Sequence, residues 1–124
     1  MQILVGDQLL RIETKGGPIG SASRALIFLH GWAMTGRDFD DLAVRLAERF
    51  PAYAFVQVDL PGFGDSPLAS QGGLSLNDYC TTLEALFKKL GLAQVTLVGH
   101  SLGGRIAIKF AARFPERVEK IVLI

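Results

Sequence analysis

Val95-Thr96-Leu97-Val98-Gly99-His100-Ser101-Leu102-Gly103-Gly104 is the stretch on which the reading of this chain turns. Val95 to Val98 is β-branched and aliphatic, and it runs without a break into a glycine, a histidine and a serine. A short, unbroken run of this kind is expected of a strand covered on both faces, inside a parallel sheet. A helix is expected to follow to about Phe114, where Pro115 stops it. The stretch thus predicts a strand that turns at once into a helix. Gly99-His100-Ser101-Leu102-Gly103 sits at the turn and matches G-x-S-x-G.

The chemistry follows from that setting. A strand that becomes a helix within a residue or two must hold one residue in a strained backbone conformation, and small neighbours at Gly99 and Gly103 let the surrounding chain pass. Ser101 would then stand at the C-terminal end of the sheet and at a helix N-terminus. Free amide N–H groups and the helix dipole both favour an anion there. This arrangement suits a serine that attacks a carbonyl carbon and leaves an oxyanion beside it. The competing reading is a serine that only caps the helix.

Working outward, Val118 and Ile121-Val122-Leu123-Ile124 begin another strand. Upstream, Ala25-Leu26-Ile27-Phe28-Leu29 is a second unbroken apolar run and ends at His30-Gly31-Trp32. Phe39, Leu42, Ala43 and Leu46 then recur at helical spacing, with Thr35 as the expected N-cap and Asp38 three residues on. Ala52–Leu60 reads as a strand that ends in Asp59-Leu60-Pro61-Gly62-Phe63-Gly64-Asp65-Ser66-Pro67. Ser75-x-x-Asp78 opens a helix with Tyr79, Leu83, Leu86, Phe87 and Leu90 on its stripe, and Gly91 stands just past the last turn. The first 14 residues predict a hairpin that turns at Gly6-Asp7, and Lys15–Ser23 predicts a loop.

Strands alternating with helices imply a parallel sheet with right-handed crossovers. The expected fold is a three-layer α/β/α sandwich, mostly parallel, with an N-terminal antiparallel hairpin. Trp32, Gly62 and Ser101 fall at the same end of that sheet, where open α/β sheets bind ligands. With 124 residues and no repeat, low-complexity stretch or linker, residues 1–124 read as part of one domain.

Composition narrows the function. The chain is 49% hydrophobic and 20% charged, which places it among globular proteins. Thirteen basic and twelve acidic residues leave +1, with no run of like charge, so no nucleic-acid or membrane partner is expected. No signal peptide or span of ~20 apolar residues is read. A lone cysteine, Cys80, makes no internal disulfide, and a cytoplasmic location is the expectation. Gly62-x-Gly64 is not a dinucleotide fingerprint, because Pro67 follows and no helix opens there. Two histidines and one cysteine, without H-x-x-x-H spacing, give no reason to expect zinc, and no metal or organic cofactor is expected.

Three segments in order, His30-Gly31-Trp32, Asp59-Leu60-Pro61-Gly62-Phe63-Gly64-Asp65-Ser66 and Gly99-His100-Ser101-Leu102-Gly103-Gly104, resemble the α/β-hydrolase superfamily over essentially the whole chain. They look most like small carboxylesterases such as the pimeloyl-carrier methyl esterase group, and are also similar to C–C bond hydrolases and cofactor-free haloperoxidase-like members. The resemblance implies a serine hydrolase acting on a small-molecule ester or other acyl substrate. It implies Ser101 as the nucleophile and the backbone N–H groups of Trp32 and Leu102 as oxyanion donors. His30, Gly31, Gly99, His100 and Gly103 are implied as support, with His30 structural rather than a base and His100 lining or supporting the pocket. Asp59 and Asp65 are read as fixing their loop, and Cys80 as a buried small hydrophobe.

In that family the acid and then the histidine of the triad follow the serine. No histidine follows Ser101 here, and Glu116 and Glu119 fall at the wrong end of the sheet. Both partners are therefore expected beyond Ile124, the chain is expected to be the N-terminal part of a longer hydrolase, and these 124 residues alone are expected to be inactive. The alternative is a short product that binds or regulates without catalysis. An open reading frame after Ile124 favours the first, and a stop codon the second.

Overall fold

The structure is a computed structural model that describes residues 1–20, 24–69 and 73–124. Among the described residues the strands are β1 (Gln2–Val5), β2 (Gln8–Gly16), β3 (Arg24–Leu29), β4 (Tyr53–Val58), β5 (Val95–Gly99) and β6 (Val118–Leu123). The α-helices are α1 (Asp40–Arg49), α2 (Leu76–Lys89) and α3 (Leu102–Arg113). The strands form one sheet in the order β1-β2-β4-β3-β5-β6. β1, β2 and β4 pair antiparallel, whereas β4-β3, β3-β5 and β5-β6 pair parallel.

Residue alternation along the strands builds two cores. Ala25, Ile27 and Leu29 of β3 pack with Val56 and Val58 of β4 and Leu97 of β5 into one cluster, which α2 and α3 close with Leu83, Leu86, Phe87, Ile106 and Phe110. Phe87 meets Phe110 edge-on at 5.3 Å between ring centroids and joins the two helices. On the opposite face Phe28, Phe55 and Val98 pack with Phe39 and with Ala43 of α1. Helices on both faces of one sheet make the three layers expected, with the antiparallel hairpin at one edge.

The local signals act as read in most places. Val5 pairs with Gln8 across Gly6-Asp7, so the hairpin turn has two residues. Ser75 and Asp78 form a reciprocal capping box on α2. At its other end Gly91 takes φ +72°, its N–H donates to the Lys88 carbonyl, and the Leu92 N–H donates to Phe87. These are the two bonds of a Schellman ending.

Three boundaries differ. Lys15 and Gly16, expected in a loop, continue β2, because β4 offers a long antiparallel partner and Gly16 pairs with Ala54. Ser21 to Ser23, the end of that expected loop, lie outside the described residues. The strand expected over Ala52–Leu60 is confined to Tyr53–Val58; beyond it the Leu60 N–H leaves the sheet and bonds to His30. Thr35 and Asp38 do form a capping box, but it closes a 3₁₀ turn over Gly36–Phe39, and α1 begins only at Asp40. The cause lies on β4 and just past it. The Gly36 N–H donates to the Asp59 carboxylate at 2.7 Å and the Gln57 amide donates to the Gly36 carbonyl at 2.7 Å, which holds the turn apart from the helix.

Candidate active site

β3, β4 and β5 run parallel and end together, so the segments after Leu29, Val58 and Gly99 meet at one end of the sheet. Ser101 lies between β5 and α3 with φ 54° and ψ −115°. That is a region that L-residues other than glycine avoid, at a typical cost of 1–3 kcal/mol. Although Ser101 occupies the N-cap position, its side chain makes no capping hydrogen bond, and the residue is exposed. A serine kept only as a cap would direct its hydroxyl to the first-turn amides. This one does not, so the capping reading fails on geometry.

The elbow is held by close backbone packing. A Cβ on Gly99 would stand 2.7 Å from Gly104 Cα, and one on Gly103 would overlap the Leu29 carbonyl. The His100 N–H donates to Leu29 O at 3.1 Å, the Gly103 N–H to His100 O at 2.9 Å, and the Arg105 N–H to Ser101 O at 3.1 Å. Among the described residues, the Leu102 and Trp32 N–H groups have no protein acceptor. The first turn of α3 carries no acidic side chain, so nothing there opposes an anion.

The loop after β3 lies against the elbow. A Cβ on Gly31 would meet Ser101 Cβ at 3.2 Å, His100 Cδ2 at 3.1 Å and Met34 Sδ at 3.1 Å. The structure therefore brings His30-Gly31-Trp32 and His100-Ser101-Leu102 together. Trp32 is 73% exposed, so its ring is not part of the core, and it stands edge-on to Phe63 at 5.2 Å. Trp32, Pro61, Phe63, Leu68, Leu74 and Tyr79 line a groove of about 330 Å³.

His30 is fully buried, and both its ring nitrogens are engaged. The Leu60 N–H donates to Nε2 at 3.0 Å, so Nδ1 carries the proton and donates to the Gly31 carbonyl at 2.8 Å. Burial lowers its pKa from 6.5, partly opposed by the Gly31 hydrogen bond and the charge of Asp59. A neutral ring with no free nitrogen holds the loops and is not available as a base.

Asp59 is fully buried and accepts from the Gly36 and Asp65 N–H groups at 2.7 and 2.9 Å, while Ser66 Oγ donates to its carbonyl at 2.6 Å. Asp65 is exposed and pairs with Arg37 at 3.2 Å. Both aspartates tie the Pro61–Ser66 loop. Cys80 is buried, and desolvation raises its thiol pKa. Glu116 lies in the 3₁₀ turn Pro115–Arg117 just before β6 and Glu119 at the start of β6, both remote from the end at which β5 delivers Ser101. Sequence reasoning missed the bond of His100 Nδ1 to the Ile124 main-chain oxygen at 3.0 Å. No local pattern announces it, since the partners are 24 residues apart.

Comparison with known proteins agrees with this fold. The family model described as the alpha/beta hydrolase fold matches residues 24–124. The chain is similar to 2-(acetamidomethylene)succinate hydrolase of Mesorhizobium japonicum, at 34% identity over 97% of this chain and 40% of that one. It is also similar to pimeloyl-[acyl-carrier protein] methyl ester esterase of Aeromonas hydrophila, at 36% identity over 80% of this chain and 36% of that one. A crystal structure of a hypothetical protein from Pseudomonas aeruginosa superposes with a TM-score of 0.88 at 30% identity, covering 100% of this chain and 42% of that one. The chain thus spans 40% or less of the length of these two curated relatives.

Proposed function

This chain belongs to the alpha/beta hydrolase fold family, and on that premise we propose that it carries the nucleophile, Ser101, of a serine hydrolase that cleaves a carboxylic ester or related acyl bond. The observation that carries the proposal is the Ser101 backbone at φ 54°, ψ −115°, in an exposed residue whose side chain makes no capping hydrogen bond at the start of α3. Strain of that kind is retained where a turn must present a side chain, not where it merely ends a strand. Two curated relatives named as hydrolases support the reaction class.

In the proposed reaction, Ser101 Oγ bonds to the substrate's carbonyl carbon while a general base removes its proton. The carbonyl oxygen gathers negative charge between the N–H groups of Leu102 and Trp32. The leaving alcohol departs with a proton from the same base, and water then hydrolyses the acyl-serine and restores the hydroxyl. The groove beside Trp32 suits the apolar part of a small ester or acyl substrate. His30 is engaged at both nitrogens and is not free to serve as the base, His100 is held through Nδ1 to Ile124, and in this family the histidine of the triad follows the serine. The proposal therefore takes the acid and the histidine from residues outside Met1–Ile124. It invokes no metal or organic cofactor, no nucleic acid and no membrane, and it sets the enzyme in the cytoplasm.

A fluorophosphonate probe applied to the whole protein tests the reading. Labelling of Ser101 that disappears in Ser101→Ala supports it. A folded, complete protein that takes no label is instead a binding or regulatory module on the same scaffold.

A further inference from the structure

We propose that His100 is a positioning residue for Ser101, acting through the hydrogen bond from its Nδ1 to the main-chain oxygen of Ile124 rather than through the bulk of its ring. The inference rests on the serine-hydrolase reading above, and extends it to a residue beside the nucleophile in the chain.

The register of the sheet shows why a side chain is needed there. β5 and β6 run parallel with Gly99 opposite Leu123, and the Ile124 N–H donates to the Gly99 carbonyl at 2.9 Å. In a parallel ladder the next rung would run from the amide two residues past Gly99, that of Ser101, to the Ile124 oxygen. The chain does not supply that rung, because at Ser101 it has left the strand for the positive-φ turn. His100 Nδ1, 3.0 Å from the Ile124 oxygen, takes its place. That oxygen can only accept, so Nδ1 is the donor.

The other edge of the ring completes the arrangement. His100 Cδ2 lies where a Cβ on Gly31 would come within 3.1 Å, beside the position at which the same Cβ would meet Ser101 at 3.2 Å. The His100 main chain is bonded on both sides, its N–H to Leu29 O and its carbonyl to the Gly103 N–H. One residue thus joins the end of β3, the loop that carries Trp32, the first turn of α3 and the end of β6. Freeing the ring from Ile124 releases one of the constraints on where Oγ stands relative to Gly31 and the Trp32 N–H. A misplacement of about 1 Å in a reacting group costs on the order of 100-fold in rate.

The test uses the whole protein, three variants and p-nitrophenyl acetate. His100→Phe keeps an aromatic ring and removes the donor, whereas His100→Asn keeps a donor near the Nδ1 position. His100→Leu replaces the Phe variant if that one does not melt cooperatively. We expect His100→Phe to slow acylation of Ser101 about 10- to 100-fold with KM changed less than about threefold, and His100→Asn to recover most of that rate. A His100→Phe rate equal to wild type overturns the proposal, as does a folded His100→Asn that is as slow as His100→Phe. A long-range proton–nitrogen NMR spectrum gives a readout independent of turnover: the His100 ring is expected to carry its proton on Nδ1, and a bare Nδ1 overturns the proposal. If wild-type Ser101 takes no fluorophosphonate, the serine-hydrolase reading fails instead, and with it the catalytic consequence of the His100 bond.

Discussion

Gly103 rests directly on the carbonyl oxygen of Leu29, so close that a Cβ at position 103 would overlap it. This is where α3 crosses the end of β3, and it brings Ser101 up against Gly31. Neither partner can yield easily, since both are main chain in hydrogen-bonded elements. Gly103→Ala is therefore expected to destabilise the fold by about 1–3 kcal/mol or more through overpacking. It should also depress Ser101 labelling by fluorophosphonate. Urea denaturation reads the first effect; an unchanged midpoint at unchanged slope would mean that the crossing is not tight.

The strain at Ser101 should be visible as stability. Alanine at φ 54° suffers as serine does, whereas glycine adopts positive φ freely. Glycine also costs about 0.5–1 kcal/mol more entropy on folding, against about 1–3 kcal/mol of relieved strain. Ser101→Gly is thus expected to be more stable than Ser101→Ala by about 1 kcal/mol, both being inert toward the probe. A Ser101→Ala protein more stable than Ser101→Gly would deny that the turn is strained.

His30 should make stability depend on pH. Its folded pKa is lowered below 6.5, chiefly by burial, so between the two values the unfolded chain binds more protons than the folded one. Stability then rises with pH through that window: the contribution is full above 6.5 and is lost progressively as pH falls below it. The measurement is the denaturation midpoint across pH 5 to 8 for wild type and His30→Gln. The variant is expected to be less stable at neutral pH and to show a smaller drop on acidification. An equal drop in both would place the titrating group elsewhere.

Much of the fold was legible in short-range pattern. The unbroken runs at Ala25–Leu29 and Val95–Val98 mark strands covered on both faces, and each is buried between helices. The Ser75–Asp78 pair and Gly91 mark the ends of α2 because their bonds close within a few residues. Where the reading erred, the deciding partner was distant. Thr35 caps a 3₁₀ turn rather than α1 because Gln57 and Asp59 grip Gly36. Lys15 and Gly16 join β2 because β4 is there to pair with them. The same holds at the site. G-x-S-x-G marks Ser101 from adjacent residues, but the protonation of His30 is set by Leu60, and the hold on His100 by Ile124, 24 residues away.

The most direct test of the central claim is to catch the intermediate. The whole protein is mixed with p-nitrophenyl acetate, quenched in acid within milliseconds to seconds, digested, and its peptides weighed. The account predicts one acetyl group on the peptide that contains Ser101, formed as a burst of nitrophenolate is released and absent from Ser101→Ala. Steady hydrolysis with no acetylated peptide at any quench time, or acetyl found on another residue and undiminished in Ser101→Ala, would contradict it.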